Sequence, residues 1–388
     1  MIPILYSLAL ISLIIGTAAI YMALIKVFPV EWLYYHYFIR KPIVWTIFIM
    51  SLLWTIYITL VHGSFPTFVI LPLIIMGLAV VLSYRMHQEN AFPAVDYPEM
   101  AEDIESLPIE EEMQLAVIEY EGVTKAYPLD YVVHHHIVND RFGERIVALT
   151  YCAMCRSIIP FDVTDIGPLF VGSFKGANMI VADRKTKTFF QQATFESIIG
   201  ELHPHTLTML PFQILPWSEV KKIDPLPAVA KVTEKDFKDF ELPIPGIWKK
   251  IVASESTPGI SAKERDTSFP ARTHVVGITD KIANPQVVYL KEEVLPQGIV
   301  NNEELGIFLV GFKNTINAFM NGLEEKNLEI TLTHKNALFD RSTETTWDIR
   351  GKYLSGEIKA DLIPVAFSDE YWFSWKLFHP KSELIRLK

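Results

Sequence analysis

The chain has 388 residues, half of them hydrophobic, with a net charge of −10, a length that admits two or three domains. Residues 1–90 hold four basic and two acidic side chains, which leaves 31 basic and 43 acidic residues in the remainder. An acidic soluble portion behind an apolar one lacks the basic face that a nucleic-acid partner requires, and two cysteines exclude a disulfide framework.

Residues 2–25, 43–61 and 65–84 are uncharged apolar runs, each near the ~20 residues that a helix needs to cross a ~30 Å hydrocarbon core. They predict three transmembrane helices in a 1–90 anchor, with the lipid bilayer as partner. The first run is too long for a cleaved signal peptide and lacks its basic start. Trp32, Tyr34, Tyr35 and Tyr37 lie between the first two runs, where aromatic residues anchor spans at the membrane interface. Lys26, Arg40 and Lys41 share that connection and Arg85 follows the third run, whereas His62-Gly63-Ser64 carries no basic residue. The positive-inside rule then places the large domain in the cytoplasm.

From about residue 91 short apolar runs alternate with turn residues. Residues 115–120, 146–151, 169–174 and 179–182 read as strands, being short and rich in β-branched and aromatic residues. Residues 129–138 and 195–199 read as short helices. The expected class is strand-rich α+β, and with no glycine-rich phosphate loop no nucleotide cofactor is expected.

A repeat is visible. Asp183-Arg184-Lys185-Thr186-Lys187-Thr188 is echoed by Asp340-Arg341-Ser342-Thr343-Glu344-Thr345, and Gly200-Glu201-Leu202 by Gly356-Glu357-Ile358. Tyr127 precedes Ile137-Val138-Asn139 as Tyr289 precedes Ile299-Val300-Asn301, ten residues ahead in each. The expected division is a first copy over 91–228, a linker over 229–269 and a second copy over 270–388. Carried forward, this register sets Cys152 opposite Asn314 and leaves the second copy without cysteine. Asp183 and Arg184 recur in both copies, so their expected role is turn formation through side-chain to backbone hydrogen bonds.

The first copy carries the chemistry. His134-His135-His136 stands one apolar strand ahead of Cys152-Ala153-Met154-Cys155. Two sulfurs on one tight loop chelate an ion, and His135 from a neighbouring segment makes a third ligand, a set suited to copper or zinc. A fourth ligand is open among His134, His136, Met154 and water. The same Cys-x-x-Cys pair closes reversibly as a thiol–disulfide couple, with Arg156 placed to stabilise a thiolate. Gln192 is a candidate to line the site. A third reading is a membrane-tethered binding scaffold, in which Trp347, Tyr371, Trp372, Phe373 and Trp375 form a stacking platform or, more commonly, core.

Several of these residues form an ordered set: Tyr127-Pro128-Leu129, His135-x-Ile137-Val138-Asn139-Asp140, Thr150-Tyr151-Cys152-x-x-Cys155, Asp183-Arg184, Gln192, Phe373-Ser374-Trp375 and Phe378-His379-Pro380. The set resembles the bacterial and archaeal family called domain of unknown function 3179, over roughly residues 111–380. Members usually read Trp-His-Glu-Ile-Val-Asn-Asp, which puts the family histidine at His135, with His134 in place of Trp and His136 in place of Glu. Ala153 replaces the usual Pro, and Arg156 the usual Gly or Asn. The resemblance implies an exported domain, the opposite side to the charge-based reading, and implies no particular reaction.

Overall fold

Long uncharged runs leave the backbone polar groups no partners in a bilayer except one another, a demand that helices satisfy. In the computed structural model, Ile2–Leu24 form α1, Val30–His62 form α2 and Ile70–Arg85 form α3. The structure describes all residues except 1, 234–235, 237–249, 251–253, 280–285, 324–325, 335 and 388. All three helices are long and apolar enough to cross a membrane, α3 together with the short 3-10 turn before it. Gly16 lets α1 close on α3, where a Cβ would stand 2.6 Å from the Ala79 carbonyl oxygen; small residues at such crossings are what permit close backbone approach.

One expectation changes here. The aromatic stretch ahead of residue 43 is not a connection but the first part of α2. Tyr34 and Tyr37 turn toward the soluble domain and meet Phe189 edge-on at 5.3 and 6.3 Å. Only Trp32 and Tyr35 of the four aromatic anchors remain exposed. Arg40 is a buried brace, its Nε donating to the Ser83 carbonyl at 3.0 Å. Packing on the domain explains why this polar-flanked stretch stays helical past the apolar span.

The soluble part opens with α4 (Gln88–Ala91) and β1 (Val95–Asp96). β2 (Gln114–Tyr120), β3 (Val123–Pro128), α5 (Leu129–His135), β4 (Ile137–Phe142), β5 (Arg145–Cys152) and β6 (Ser157–Asp162) follow. A meander of β7 (Leu169–Lys175), β8 (Asn178–Asp183), β9 (Phe189–Gln191) and β10 (Ser197–Ile199) leads to β11 (Thr208–Met209), β12 (Gln213–Pro216), α6 (Trp217–Val220) and β13 (Ala228–Val229). The domain is strand-rich α+β, as expected. The helix expected at 195–199 is instead an edge strand: Phe195 takes φ +68° and turns the chain so that β10 pairs with β9. The helix expected over 129–138 stops at His135, because His136 at φ +63° ends it.

The second half runs β14 (His274–Ile278), β15 (Val287–Leu290), α7 (Lys291–Gln297), β16 (Ile299–Asn302), β17 (Ile307–Phe312) and β18 (Thr315–Met320). A small hairpin, β19 (Gly322–Leu323) with β20 (Lys326–Asn327), precedes a meander of β21 (Ile330–Leu332), β22 (Leu338–Asp340), β23 (Thr345–Trp347) and β24 (Tyr353–Ser355). β25 (Phe367–Tyr371), α8 (Trp372–Phe378) and β26 (Glu383–Ile385) close the chain. Sheet order is β12-β2-β3-β13 in the first half and β25-β14-β15-β26 in the second, and in each the last pairing is parallel. β25 lies on β6 of the other half, and β12 on β18. Val138, Leu149 and Ile214 share one core with Val276, Leu309 and Phe367.

Asp183 and Asp340 each accept from the backbone and hydroxyls of the turn that follows, the turn-forming role expected of them. Of the five aromatic residues near the C-terminus, Trp347, Trp372, Phe373 and Trp375 are buried in the core and Tyr371 is half-buried. The expected linker over 229–269 contains residues 237–249, which lie outside the described residues. Its described end is fixed to the anchor, since Glu264 pairs with Lys26 at 2.5 Å. Lys175 Nζ donates to the carbonyls of Met22 and Ile25 at 2.8 Å each, closing the C-terminus of α1.

Candidate functional site

The two cysteines sit on the hairpin between β5 and β6. Cys152 is the last residue of β5 and pairs with Ser157, the first of β6, across a four-residue loop, 153–156. The hairpin between β17 and β18 of the second half turns over in two residues, Lys313 and Asn314, both at positive φ, the geometry of a tight primed turn. The loop between Cys152 and Ser157 is two residues longer than the turn between Phe312 and Thr315. Arg156 accommodates the extra length at φ +59°, a conformation that costs a non-glycine residue about 1 kcal/mol or more.

The sulfurs of Cys152 and Cys155 are 3.2 Å apart, reduced and buried. The Cys155 thiol donates to the Ala177 carbonyl at 3.0 Å and accepts from the Asn178 amide at 3.3 Å. Both partners belong to the β7–β8 turn. Burial pushes both thiols up, but their environments then diverge. Hydrogen bonds from Cys155 and from backbone N–H groups bring Cys152 below its ordinary value. The neighbouring Cys152 and Glu370 add to burial to hold Cys155 well above it.

Gln192 does not line the site; it fixes the residues that do. Its Oε1 accepts from Ser157 Oγ at 2.8 Å and Asn178 Nδ2 at 3.1 Å, and its Nε2 donates to Thr150 Oγ1 at 3.1 Å. These bonds join the two strands of the hairpin to the turn that contacts the sulfurs. Asp183 and Arg184 lie apart, Arg184 pairing with Asp96 at 2.9 Å.

The histidines do not join the cysteines. His135 Nδ1 faces the Pro93 carbonyl at 3.3 Å, and its Nε2 stands 4.0 Å from Asp236. His136 stacks on Phe92 at 4.3 Å, and His134 packs on His135. Met154 rests against the apolar cluster around the sulfurs. Among the described residues no three His, Cys, Asp or Glu side chains gather as a ligand set for a metal. α5 carries His134 and His135 and ends at His136, whose reversed backbone turns its ring away from theirs.

What sequence reasoning missed comes from the second half. Tyr371 at the end of β25 donates its backbone N–H to the Cys155 carbonyl at 2.9 Å. Asp369 and Glu370 just before it are buried. Asp369 receives Arg156 at 2.5 Å and Lys291 at 2.6 Å. Burial alone would raise its pKa, but the two cations hold it below the usual carboxylate range. Arg156 is thus committed to Asp369 rather than to a thiolate. Among the described residues Glu370 has no such cation, and burial pushes it up to about 7. The available signal was the run Ser368-Asp369-Glu370, three polar residues together in a buried strand. A cavity of about 460 Å³ opens beside the loop, lined by Tyr151, Arg156, Asp369, Asp130, Leu129 and Val133 among others.

The geometry is that of two unequal thiols within reach of a bond, locked by amide hydrogen bonds and backed by two carboxylates in opposite charge environments. No curated protein and no solved structure matches the chain. The sequence model of one family, described as protein of unknown function DUF3179, matches residues 89–382, and the chain belongs to that family.

Proposed function

We propose that Cys152 and Cys155 form a dithiol–disulfide couple, with Cys152 as the attacking and Cys155 as the resolving sulfur. The observation that carries this reading is the 3.2 Å separation of two unequal thiols. A disulfide bond is ~2.05 Å long, so closure asks for an approach of about 1 Å. The thiolate is the nucleophile, and Cys152 is both the more acidic and, at 4% against 0% exposure, the less enclosed. Copper or zinc held by Cys152, Cys155 and His135 has weaker support, because His135 is engaged at Pro93 and Asp236.

The test is a redox titration of the full chain in detergent, with free thiols counted by alkylation and mass. Two thiols are expected to disappear together, and Cys152→Ser or Cys155→Ser each to abolish the intramolecular bond. One equivalent of copper or zinc that survives purification, protects both thiols and is lost in the double Ser variant would overturn the reading in favour of a metal centre.

We also infer that the two halves of the soluble domain are copies of one unit, with boundaries near 91–228 and 270–388. Matching sheet orders, matching parallel edge strands and the reciprocal contacts of β12 with β18 and β25 with β6 support this; reciprocal contacts are what a twofold relation produces. The second copy then supplies the carboxylates of the first copy's cysteine site. Lys26, Arg40, Lys41 and Arg85 all fall at the domain end of the three helices, which favours a cytoplasmic domain by the positive-inside rule. Labelling of intact cells with a membrane-impermeant lysine reagent tests the side.

A further inference from the structure

We propose that residues 254–265 form a cover over the dithiol, latched to the membrane anchor by the Lys26–Glu264 ion pair, and that a partner reaches Cys152 when this latch opens. The inference rests on the dithiol reading above. Cys152 and Cys155 are 4% and 0% exposed, yet exchange requires a sulfur of the partner to meet the attacking thiolate. Part of the enclosure must move before the couple can turn over.

The chain from Ser254 to Thr273 contains no helix or strand, and its two parts are held differently. Residues 266–273 are stitched to α8. Trp372 donates its indole N–H to Asp266 at 2.9 Å and its backbone N–H to the Thr273 carbonyl at 2.8 Å, and the Phe373 N–H donates to the Ala271 carbonyl at 3.2 Å. Residues 254–265 hold to themselves. The Ile260 N–H donates to the Thr257 carbonyl at 3.1 Å, and Ser261 donates its N–H and hydroxyl to Glu264 at 3.1 and 2.8 Å. Arg265 donates to the Glu255 carbonyl at 3.0 Å, and the Glu255 carboxylate accepts from the Ala271 N–H at 2.8 Å. Among the described residues, the one polar tie from this loop to anything outside 254–273 is Lys26–Glu264, at 2.5 Å.

The loop lies where a cover must. Ile260 packs against the apolar cluster that encloses both sulfurs. A Cβ on Gly259 would stand 3.6 Å from the Ala177 nitrogen and 3.9 Å from the carbonyl oxygens of Ala23 and Leu24. The Ala177 carbonyl is the acceptor of the Cys155 thiol, so Gly259 sits between the end of α1 and the turn that holds the sulfurs. A cavity of about 250 Å³ separates the loop from α8, lined by Thr257, Ile260, Glu264, Arg265, Phe373 and Leu377 among others. Self-contained hydrogen bonds and loose packing mark a segment that opens locally, without global unfolding. Lys26 and Glu264 are 60% and 31% exposed, and an exposed ion pair is weak and screened by salt.

The experiment measures alkylation of Cys152 by iodoacetamide in the reduced full chain in detergent, with the modified residue identified by peptide mass. Glu264→Gln is expected to raise the rate about threefold, the worth of an exposed ion pair, and Ile260→Ala about tenfold, through lost apolar burial. Added salt should speed the wild type and leave Glu264→Gln unchanged. Lys326→Met, which breaks an equally short exposed pair with Glu357, should change nothing. Urea below the unfolding transition should raise the wild-type rate only shallowly, since local opening exposes little surface. Wild-type rates in both Glu264→Gln and Ile260→Ala, or a urea slope equal to that of global unfolding, overturn the cover and leave the couple standing. Faster alkylation in the two variants, with no disulfide formed on oxidation by diamide, overturns the couple and with it the role of the cover.

Discussion

The backbone N–H of Tyr371 bonds the carbonyl of Cys155 at 2.9 Å across 216 positions of sequence, and so ties a strand of the second half to the cysteine loop of the first. Where the β17–β18 hairpin of the second half meets β12 of the first, the residues are Phe312, Ile214 and Leu215, with no sulfur or carboxylate among them.

Glu370 makes stability depend on pH in a defined direction. Its folded pKa of about 7 lies above its ordinary value of 4.5. A raised carboxylate contributes fully below the unfolded value and loses that contribution as pH rises through the folded one. The wild type is expected to weaken between about pH 4.5 and 7, by roughly 3 kcal/mol. Urea unfolding of wild type and Glu370→Gln at pH 5 and pH 8 checks this. The variant should be the more stable at pH 8, and parallel curves would sink the idea.

Asp369 behaves in the opposite sense. Its pKa is lowered, so its contribution is present above the ordinary carboxylate range and is lost as pH falls through that range and below. Asp369→Ala leaves Arg156 and Lys291 without their shared anion, and removal of one partner from a buried ion pair costs about 3–5 kcal/mol. Thermal unfolding should show the loss, and Arg156→Met with Lys291→Met in the same background should recover part of it.

Gln192→Ala removes four bonds that hold Ser157, Asn178 and Thr150. Buried groups left unsatisfied cost about 1–3 kcal/mol each. The expected result is a lower melting temperature together with faster alkylation of Cys155, since Asn178 is freed from the sulfur. Slower alkylation would contradict the positioning role.

Gly277 is crowded rather than strained. A Cβ there would lie 2.0 Å from the Trp375 ring. Gly277→Ala must displace α8, at a cost of about 1–3 kcal/mol or more. Thermal unfolding of Gly277→Ala beside the wild type checks this, and an unchanged melting temperature would show that the helix adjusts at no cost.

The sequence carried much of this. Alternating apolar runs revealed β2, β5, β7 and β8 because strand period survives in a single sequence. The aspartates of the two matching turns revealed their role because Asp at a turn acts within a few residues. What stayed hidden depends on contacts far apart in the chain. His135 and Cys155 are close in sequence, but a short helix and a reversal at His136 part them. Glu370 is distant in sequence, and only the seating of β25 on β6 brings it to the sulfurs. The edge strand β10 was hidden for a local reason: Phe195 adopts a left-handed backbone that its residue type does not announce.

The β7–β8 turn has two duties within a few residues. Lys175 grips the carbonyl end of α1, while Ala177 and Asn178 touch Cys155. The two cysteines are therefore coupled to the anchor rather than carried on a loose tether, and any tilt of α1 reaches the sulfurs through a single turn of chain.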